Sequence, residues 1–255
     1  MNSIKIDQDG KFSLAAENFV IVGHDGAKDQ SHSISNAFRI MKNERYLRVY
    51  EDLASSFSPR SILELGIFQG GSYVFLDKLF KPRRMSAVEI SSKPGPPLLD
   101  YLSRTENRFV HFGTSQCDDE KLREIVLGEL ADELDLVVDD ASHTYKETRA
   151  SFEFLFPLLS PGGIYVIEDW NWAHHRDYQP SDAPFSERHA LSNLLFEQIM
   201  LLGSTVLISE IRVWNFLYMI YKPKDAVQRP AICQSVVTQS IFDRILSRGK
   251  KWSPI

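Results

Sequence analysis

Two acidic pairs stand where consecutive apolar runs of this sequence end. Asp139–Asp140 close the run LDLVV, and Glu168–Asp169 close the run IYVI. If both runs are neighbouring parallel strands, their carboxyl ends lie at one edge of a sheet, about 4.8 Å apart. Carboxylates gathered there would repel one another or take up protons unless a cation joined them. Oxygen ligands suit a hard dication, so we predict a site for Mg²⁺, or alternatively Mn²⁺, formed by Asp140, Glu168 and Asp169.

His143 follows Asp140 by three residues and is the candidate catalytic group. An imidazole beside a bound metal is a natural general base, which predicts proton transfer at this position. The alternative is structural: a lone histidine often serves packing, and acidic strand ends often precede a helix capped by a residue such as Ser142 or Thr144. Two acidic pairs at the edge where α/β proteins bind ligands favour the metal site.

The elements that position these residues alternate between short apolar runs and amphipathic stretches. This alternation predicts an α/β fold with a Rossmann-like doubly wound parallel sheet. Two apolar runs within residues 204–222 leave no room for a crossover helix, so they predict a terminal antiparallel hairpin. The predicted strands cover 61–66, 84–90, 108–112, 134–138 and 164–168, and the predicted helices cover 70–80, 98–104, 119–131 and 145–159.

The two ends of the chain differ from this central part. Residues 1–30 are polar and predict a loosely organised start, while apolar residues at helical spacing predict a helix over 34–57. We therefore divide the chain into an N-terminal segment of residues 1–58, a central domain of 59–222 and a C-terminal extension of 223–255. The N-terminal segment is expected to pack on the core, to cover the acceptor site or to form a dimer contact.

Composition excludes several classes of protein. A net charge of −5 argues against a dedicated nucleic-acid-binding protein, which needs a basic face. No apolar run is long enough to span a bilayer, and no signal peptide opens the sequence. Cys117 and Cys233 lack the spacing of a zinc site or a disulfide framework. We therefore expect a cytoplasmic protein with no membrane span.

A glycine-rich loop follows the first predicted strand. LELGIFQGGS places Gly66, Gly70 and Gly71 before a helix, where glycines permit a tight turn and free N–H groups face an anion. Glu89 ends the next strand about twenty residues further on, where a carboxylate can accept both ribose hydroxyls. Together they indicate a nucleoside ligand. The alternatives are a plain βα turn and an NAD-linked enzyme, although the loop lacks the dinucleotide fingerprint.

This outline resembles the class I S-adenosylmethionine-dependent methyltransferases, whose seventh strand is inserted antiparallel beside the sixth. ELGIFQGGS is similar to their first motif, and the resemblance covers roughly residues 60–222. It implies S-adenosylmethionine as the cofactor, with Glu64 and Ser72 at its methionine end and Ser115 or Gln116 at its adenine. The full set of cofactor-binding candidates is Glu64, Gly66, Gly70, Ser72, Glu89, Ser115, Gln116 and Asp139.

Asp140-x-x-His143 followed by Glu168-Asp169 resembles the metal-dependent sugar O-methyltransferases of macrolide biosynthesis. The run D-x-x-H-x-Y with PGG and D-W also resembles the family labelled after cephalosporin hydroxylase. Catechol-type O-methyltransferases instead use lysine as base and Asp-Asn as the second pair. The resemblance implies Mg²⁺-dependent methylation of a sugar hydroxyl on a macrolide, a glycolipid or a methylated polysaccharide, with His143 as base.

An aromatic segment follows the fifth predicted strand and is expected to form a lid over about residues 170–190. A sugar ring could stack on its side chains, although a surface loop with buried aromatic residues is an equal alternative. A homodimer or higher homo-oligomer is possible. Two further functions stay open, an O-methyltransferase of a catechol-like diol and a non-catalytic cofactor- or metal-binding protein. The substrate candidates are Tyr145, Trp170, Trp172 and His174.

Overall fold

A computed structural model describes residues 3–23, 37–178, 180–181 and 187–226 of the 255-residue chain. The strands are β1 (Lys11–Leu14), β2 (Glu17–Ile21), β3 (Phe38–Ile40), β4 (Ser61–Leu65), β5 (Arg84–Glu89), β6 (Arg108–Phe112), β7 (Leu136–Asp139), β8 (Ile164–Glu168), β9 (Glu210–Val213) and β10 (Leu217–Tyr221). The α-helices are α1 (Glu44–Ser56), α2 (Gly71–Phe80), α3 (Pro96–Ser103), α4 (Asp119–Glu124), α5 (Tyr145–Leu155) and α6 (Ser192–Ser204).

The central sheet has seven strands in the order β6-β5-β4-β7-β8-β10-β9. The first five are parallel, whereas β10 runs antiparallel to β8 and β9 antiparallel to β10. The predicted doubly wound sheet with a terminal hairpin is therefore confirmed. Every residue of β4, β7 and β8 is buried, as expected for parallel strands covered on both faces.

The terminal hairpin is shorter than predicted. The expected span began at residue 204, but α6 continues through Ser204 and β9 begins only at Glu210. Val206 and Leu207 of the first apolar run are exposed in the connection between them. The apolar character of this run predicts a strand, yet in the structure these residues lie between α6 and β9 and pair with no strand of the described chain.

The N-terminal segment is more ordered than predicted. β1 and β2 form a hairpin, β3 lies parallel to β2, and together they make a second, three-stranded sheet. Ala15 and Ala16 turn the hairpin with φ angles of 48° and 69°. The predicted helix over 34–57 was wrong at its start, because Phe38–Ile40 is a strand and residues 34–36 lie outside the described part of the chain. The helix begins at Glu44, after Asn43, whose side chain accepts the backbone N–H of Arg45.

The remaining boundaries agree with the prediction to within a few residues, except that helical structure over 119–131 changes type. α4 ends at Glu124 and a π-helical turn continues over Ile125–Glu129. A 3₁₀ turn over Phe156–Leu158 likewise extends α5. Among the described residues, the helices are all too short or too polar to cross a bilayer.

The two sheets meet at the first turn of α2. A Cβ atom added to Gly71 would lie 1.9 Å from the carbonyl oxygen of Arg39 in β3. Because glycine has no Cβ atom, the N-terminal segment can pack closely against the central domain at this position. The five loops that follow the parallel strands are held at one edge of the sheet beside this contact.

We expect Gly71→Ala to lower the free energy of unfolding by about 2 kcal/mol or more, because backbone atoms would have to move apart. Gly203→Ala is the matched control, since a Cβ atom there meets nothing within 4 Å. It should leave stability unchanged or raise it by about 1 kcal/mol. Urea denaturation of both variants measures the difference, and equal stabilities would contradict the packing described here.

Candidate active site

A cleft of about 460 Å³ opens at the carboxyl ends of the parallel strands. Each of the five strands contributes residues to its wall, from Gly66 after β4 to Asp169 after β8. The volume is that of a site for a small organic molecule. The N-terminal segment closes one side with Met41, Lys42 and Tyr46. This is the place where the predicted metal and cofactor residues were expected to meet.

Asp140, His143 and Asp169 converge on the cleft. Each offers one ligand atom, and these atoms lie within 4.8 Å of one another. All three side chains are half-buried, so they reach both solvent in the cleft and the buried charges behind them. His143 and Asp169 both have φ of 54°, in the left-handed region that costs energy for residues with a Cβ atom. Such strain concentrates at functional sites because the surrounding structure enforces it.

Glu168 has different partners from Asp140 and Asp169. Its Oε2 lies 2.5 Å from Nζ of Lys42, and its Oε1 accepts the hydroxyl of Tyr50. The same Lys42 nitrogen lies 2.6 Å from Oδ2 of Asp140. The three predicted metal ligands therefore line one cleft, but Lys42 bridges Asp140 and Glu168, and Glu168 does not belong to the cluster of ligand atoms formed by Asp140, His143 and Asp169.

The electrostatics of this cluster follow from burial. Burial and then the charge of Asp140 raise the pKa of Glu168 to about 8, against the opposing effect of Lys42. Burial and then Asp140 likewise raise the pKa of Asp169. For Lys42, burial alone would lower the pKa, but Asp140 and Glu168 outweigh it and raise the pKa above its ordinary value. Lys42 is therefore a permanent cation between two carboxylates.

The residues that pair with the acidic cluster have a regular spacing in the sequence. Lys42, Tyr46 and Tyr50 are spaced four residues apart, which places them on one face of a helix. Tyr46 donates its hydroxyl to Asp169 and packs its ring 4.3 Å from that of Phe216. In the predicted helix over 34–57 the two tyrosines count only as apolar positions, and Lys42 is not among the predicted site residues. Their polar tips all point to one acidic cluster.

An aromatic wall stands beside the candidate base. The rings of His143 and Trp172 lie 4.3 Å apart, and Trp172 stacks on Tyr178 at 5.6 Å. Nε2 of His143 is 4.0 Å from Oδ1 of Asp140. The imidazole is thus held between a carboxylate and an indole at the opening of the cleft.

The other three substrate candidates do not line the cleft. The hydroxyl of Tyr145 donates to Glu197 at 2.5 Å, and Nε1 of Trp170 donates to the carbonyl of Trp214 at 2.9 Å. His174 lies 2.8 Å from the hydroxyl of Ser192 on α6. Each has a hydrogen-bond partner distant in sequence, so of the four predicted substrate residues only Trp172 lines this cleft, and contact of the other three with a substrate stays a prediction.

The glycine-rich loop is shaped by Glu89. One carboxylate oxygen accepts the N–H groups of Ile67 at 2.9 Å and Phe68 at 2.8 Å, and the other accepts Ser91 N–H at 2.8 Å. Gly66 has φ of +77°, and a Cβ atom there would lie 2.5 Å from the carbonyl oxygen of Asp140. Glu89 therefore lines the cleft and also fixes the loop beside it, a second role that the sequence did not indicate.

The first turn of α2 faces the cleft through Ser72, while Glu64 is fully buried in β4. Burial raises the pKa of Glu64 to about 8, against the opposing effects of Lys42 and the Ser72 hydroxyl. Gly70 has φ of +88° and precedes the helix. Glu64 is not part of the cleft wall, so it could affect a bound cofactor only through neighbouring residues.

Asp139 points away from the cleft. It accepts hydrogen bonds from Ser151 at 2.8 Å, Tyr165 at 3.1 Å and Gln116 at 3.2 Å. Successive residues of a strand face opposite sides, so Asp139 cannot share the surface of Asp140. Its prediction as a direct cofactor ligand was wrong. Burial raises its pKa to about 6, against the donated bonds of Ser151 and Tyr165.

Gln116 and Ser115 both line the cleft, as predicted for the adenine end. Nε2 of Gln116 bonds Asp139, and its Oε1 accepts Ser142 N–H at 3.0 Å. The amide is therefore oriented by the core on one side and by the loop after β7 on the other. Asp139 influences the cleft through this amide.

Comparison with known proteins agrees with this geometry. Residues 63–170 match a family described as a methyltransferase domain. The 8-demethyl-8-alpha-L-rhamnosyl tetracenomycin-C 2'-O-methyltransferase of Streptomyces olivaceus is 29% identical over 144 residues, which are 52% of this chain and 35% of that protein. The L-olivosyl-oleandolide 3-O-methyltransferase of Streptomyces antibioticus is 30% identical over 132 residues, which are 49% of this chain and 31% of that protein. The aligned part thus spans about a third of these relatives.

Solved structures share the fold. The MycE methyltransferase from the mycinamycin biosynthetic pathway, in complex with Mg, SAH and mycinamycin VI, gives a TM-score of 0.51 at 24% identity, covering 73% of this chain and 50% of that one. The O-methyltransferase TomG from Streptomyces achromogenes, in complex with SAM, gives 0.52 at 16% identity, covering 71% and 81%. The predicted fold, that of the class I S-adenosylmethionine-dependent methyltransferases, is confirmed.

We expect Glu64→Gln to flatten the pH dependence of stability between pH 4.5 and about 8. In that range the unfolded carboxyl has lost its proton while the folded one retains it, so rising pH destabilises the wild-type fold. The variant should gain up to about 4 kcal/mol relative to wild type across this range. Chemical denaturation at several pH values measures the gain, and Glu106→Gln at an exposed position should give none. Parallel pH profiles for wild type and Glu64→Gln would contradict the burial argument.

Proposed function

We propose that this chain, which carries a methyltransferase domain of the class I fold, transfers a methyl group from S-adenosylmethionine to a hydroxyl of a sugar. The observation that carries the proposal is the convergence of His143, Asp140 and Asp169 at a cleft bordered by the glycine-rich loop. The predicted dependence on Mg²⁺, or Mn²⁺, belongs to the same proposal.

The cleft fits the cofactor. The first turn of α2 presents N–H groups that lack intrahelical partners, which suits the carboxylate of the methionine part. Ser72 stands at that turn, Glu89 stands where a ribose would bind, and Ser115 and Gln116 stand at the far side. The cofactor supplies an electrophilic methyl group when bound. These four residues would bind and orient it.

The donor set also fits a divalent cation. Asp140 and Asp169 offer carboxylate oxygens on the cleft side of the cluster, and such oxygens are the ligands that Mg²⁺ prefers. When bound, the ion supplies Lewis acidity that favours ionisation of the acceptor hydroxyl. Both aspartates are held in place, Asp169 by Tyr46 and Asp140 by Lys42.

His143 is the proposed general base. It stands beside Asp140 at 4.0 Å and against the face of Trp172, so it can accept the proton of a hydroxyl that enters the cleft. Lys42 is the other basic group in the cluster, but its raised pKa keeps it protonated. A lysine base of the catechol type is therefore disfavoured. Trp172 lines the cleft beside His143 and is the aromatic candidate for contact with the sugar. Alignment of the hydroxyl would supply much of the rate.

A sugar acceptor is supported by the names of the relatives, which methylate rhamnosyl and olivosyl groups. A glycolipid or a polysaccharide would present the same chemistry. We further propose that the N-terminal segment forms one side of the acceptor site, because Met41, Lys42 and Tyr46 line the cleft. An O-methyltransferase of a small diol is the second candidate, since two neighbouring hydroxyls would also suit a dication.

We expect His143→Ala to reduce methyl transfer about a hundredfold or more, because the acceptor hydroxyl loses its base. Binding of S-adenosylhomocysteine, measured by calorimetry, should be unchanged. His174→Ala is the matched control, because that histidine contacts Ser192 outside the cleft and its loss should leave transfer near the wild-type rate. Full activity in His143→Ala would refute the assignment of the base.

We expect the enzyme to methylate deoxysugar glycosides in preference to catechols, and EDTA to stop the reaction until Mg²⁺ is restored. Radiolabelled methyl transfer to a panel of rhamnosides, olivosides and simple catechols measures both. Methylation confined to catechols would exclude a sugar acceptor. Transfer that is unaffected by EDTA would exclude the metal and leave the methyltransferase assignment intact.

A further inference from the structure

The acidic cluster has two layers. Lys42 and Glu168 form a buried inner layer, with side chains 3% and 1% exposed, and Tyr50 donates to the remaining oxygen of Glu168. Asp140, His143 and Asp169 form a half-buried outer layer, and the side chains of both layers line the cleft. Asp140 belongs to both, because its Oδ2 contacts Lys42 while its Oδ1 is the oxygen nearer His143.

We infer that Lys42 is a positioning residue that withholds Glu168 from the metal, so that the divalent cation binds through Asp140 and Asp169 alone. This inference rests on the proposed function, and it differs from the three-carboxylate site expected from the sequence. Both oxygens of Glu168 are already satisfied by Lys42 and Tyr50. Coordination by Glu168 would break a buried ion pair and leave the ammonium with one carboxylate fewer, which is costly.

Lys42 also sets the affinity of the site. An ammonium 2.6 Å from one oxygen of Asp140 neutralises part of the charge that a dication would otherwise meet. A second positive charge so near repels the incoming ion, and in a partly buried site this repulsion is weakly screened. The site should therefore bind a divalent cation less tightly than three free carboxylates would.

The test is a double-mutant cycle on metal binding in the full chain, with Mn²⁺ as the probe and free Mn²⁺ followed by electron paramagnetic resonance. Glu168→Gln and Asp169→Asn each replace a carboxyl group with an amide of the same shape, so they are matched. We expect Asp169→Asn to weaken Mn²⁺ binding about tenfold more than Glu168→Gln, because only Asp169 is a ligand. Lys42→Met should strengthen binding about tenfold or more.

The combination of Lys42→Met and Glu168→Gln gives the sharpest result. With Lys42 gone, Glu168 is free to reach the metal, so Glu168→Gln should cost far more affinity in the Lys42→Met background than in wild type. An equal, large cost in both backgrounds would show that Glu168 is a ligand throughout and would overturn the inference. Weaker binding in Lys42→Met would overturn it as well.

Calorimetry with S-adenosylhomocysteine on the same samples separates this inference from the proposed function. If wild type binds the nucleoside but no Mn²⁺, the inference about Lys42 falls while methyl transfer stands. If wild type binds Mn²⁺ in the expected pattern but not the nucleoside, the methyltransferase assignment falls instead. Should Lys42→Met fail to fold, the comparison of Glu168→Gln with Asp169→Asn still decides whether Glu168 is a ligand.

Discussion

Negative charge buried at the ends of two neighbouring strands is the constraint on which the rest of this site depends. An ionised carboxylate taken out of water is costly unless it is paired or protonated. The molecule uses both means: a lysine lies between Asp140 and Glu168, two tyrosine hydroxyls donate to Glu168 and Asp169, and burial raises the pKa values of these last two acids. The buried acids are thereby either paired or hydrogen-bonded, which offsets the cost of removing them from water.

The compensating groups all come from one short stretch of chain. Lys42, Tyr46 and Tyr50 lie on or just before α1, whereas the acids lie at the carboxyl ends of β7 and β8 or directly after them. Close packing of Gly71 against β3 brings the two parts together. Fold and site are therefore coupled, because the contact that packs the N-terminal segment against the central domain also places Lys42 beside the acidic residues.

Much of the fold could be predicted because its signals are local. Apolar runs ended by glycine, proline or acids mark the strands, and parallel strands must present their carboxyl ends together, so Asp140 and Asp169 were correctly brought to one place. The β1–β2 hairpin was missed because its strands are only four and five residues long. Asp139 was predictable in principle, since strand alternation excludes it from the surface of Asp140.

Other parts of the site depend on contacts that sequence spacing does not reveal. Lys42 meets Asp140 across 98 residues and Glu168 across 126. Tyr145, Trp170 and His174 have the composition of a sugar-binding surface, but partners on α6 and in the turn before β10 take them elsewhere. Only a three-dimensional arrangement decides which aromatic side chain of such a segment is left for a ligand.

The match to the methyltransferase family starts at residue 63, yet the cation that neutralises this cluster is Lys42. The matched unit is thus not electrically self-contained, because a segment outside it completes its charge balance. A chain that carried the same acids without this segment would need another means of neutralising them.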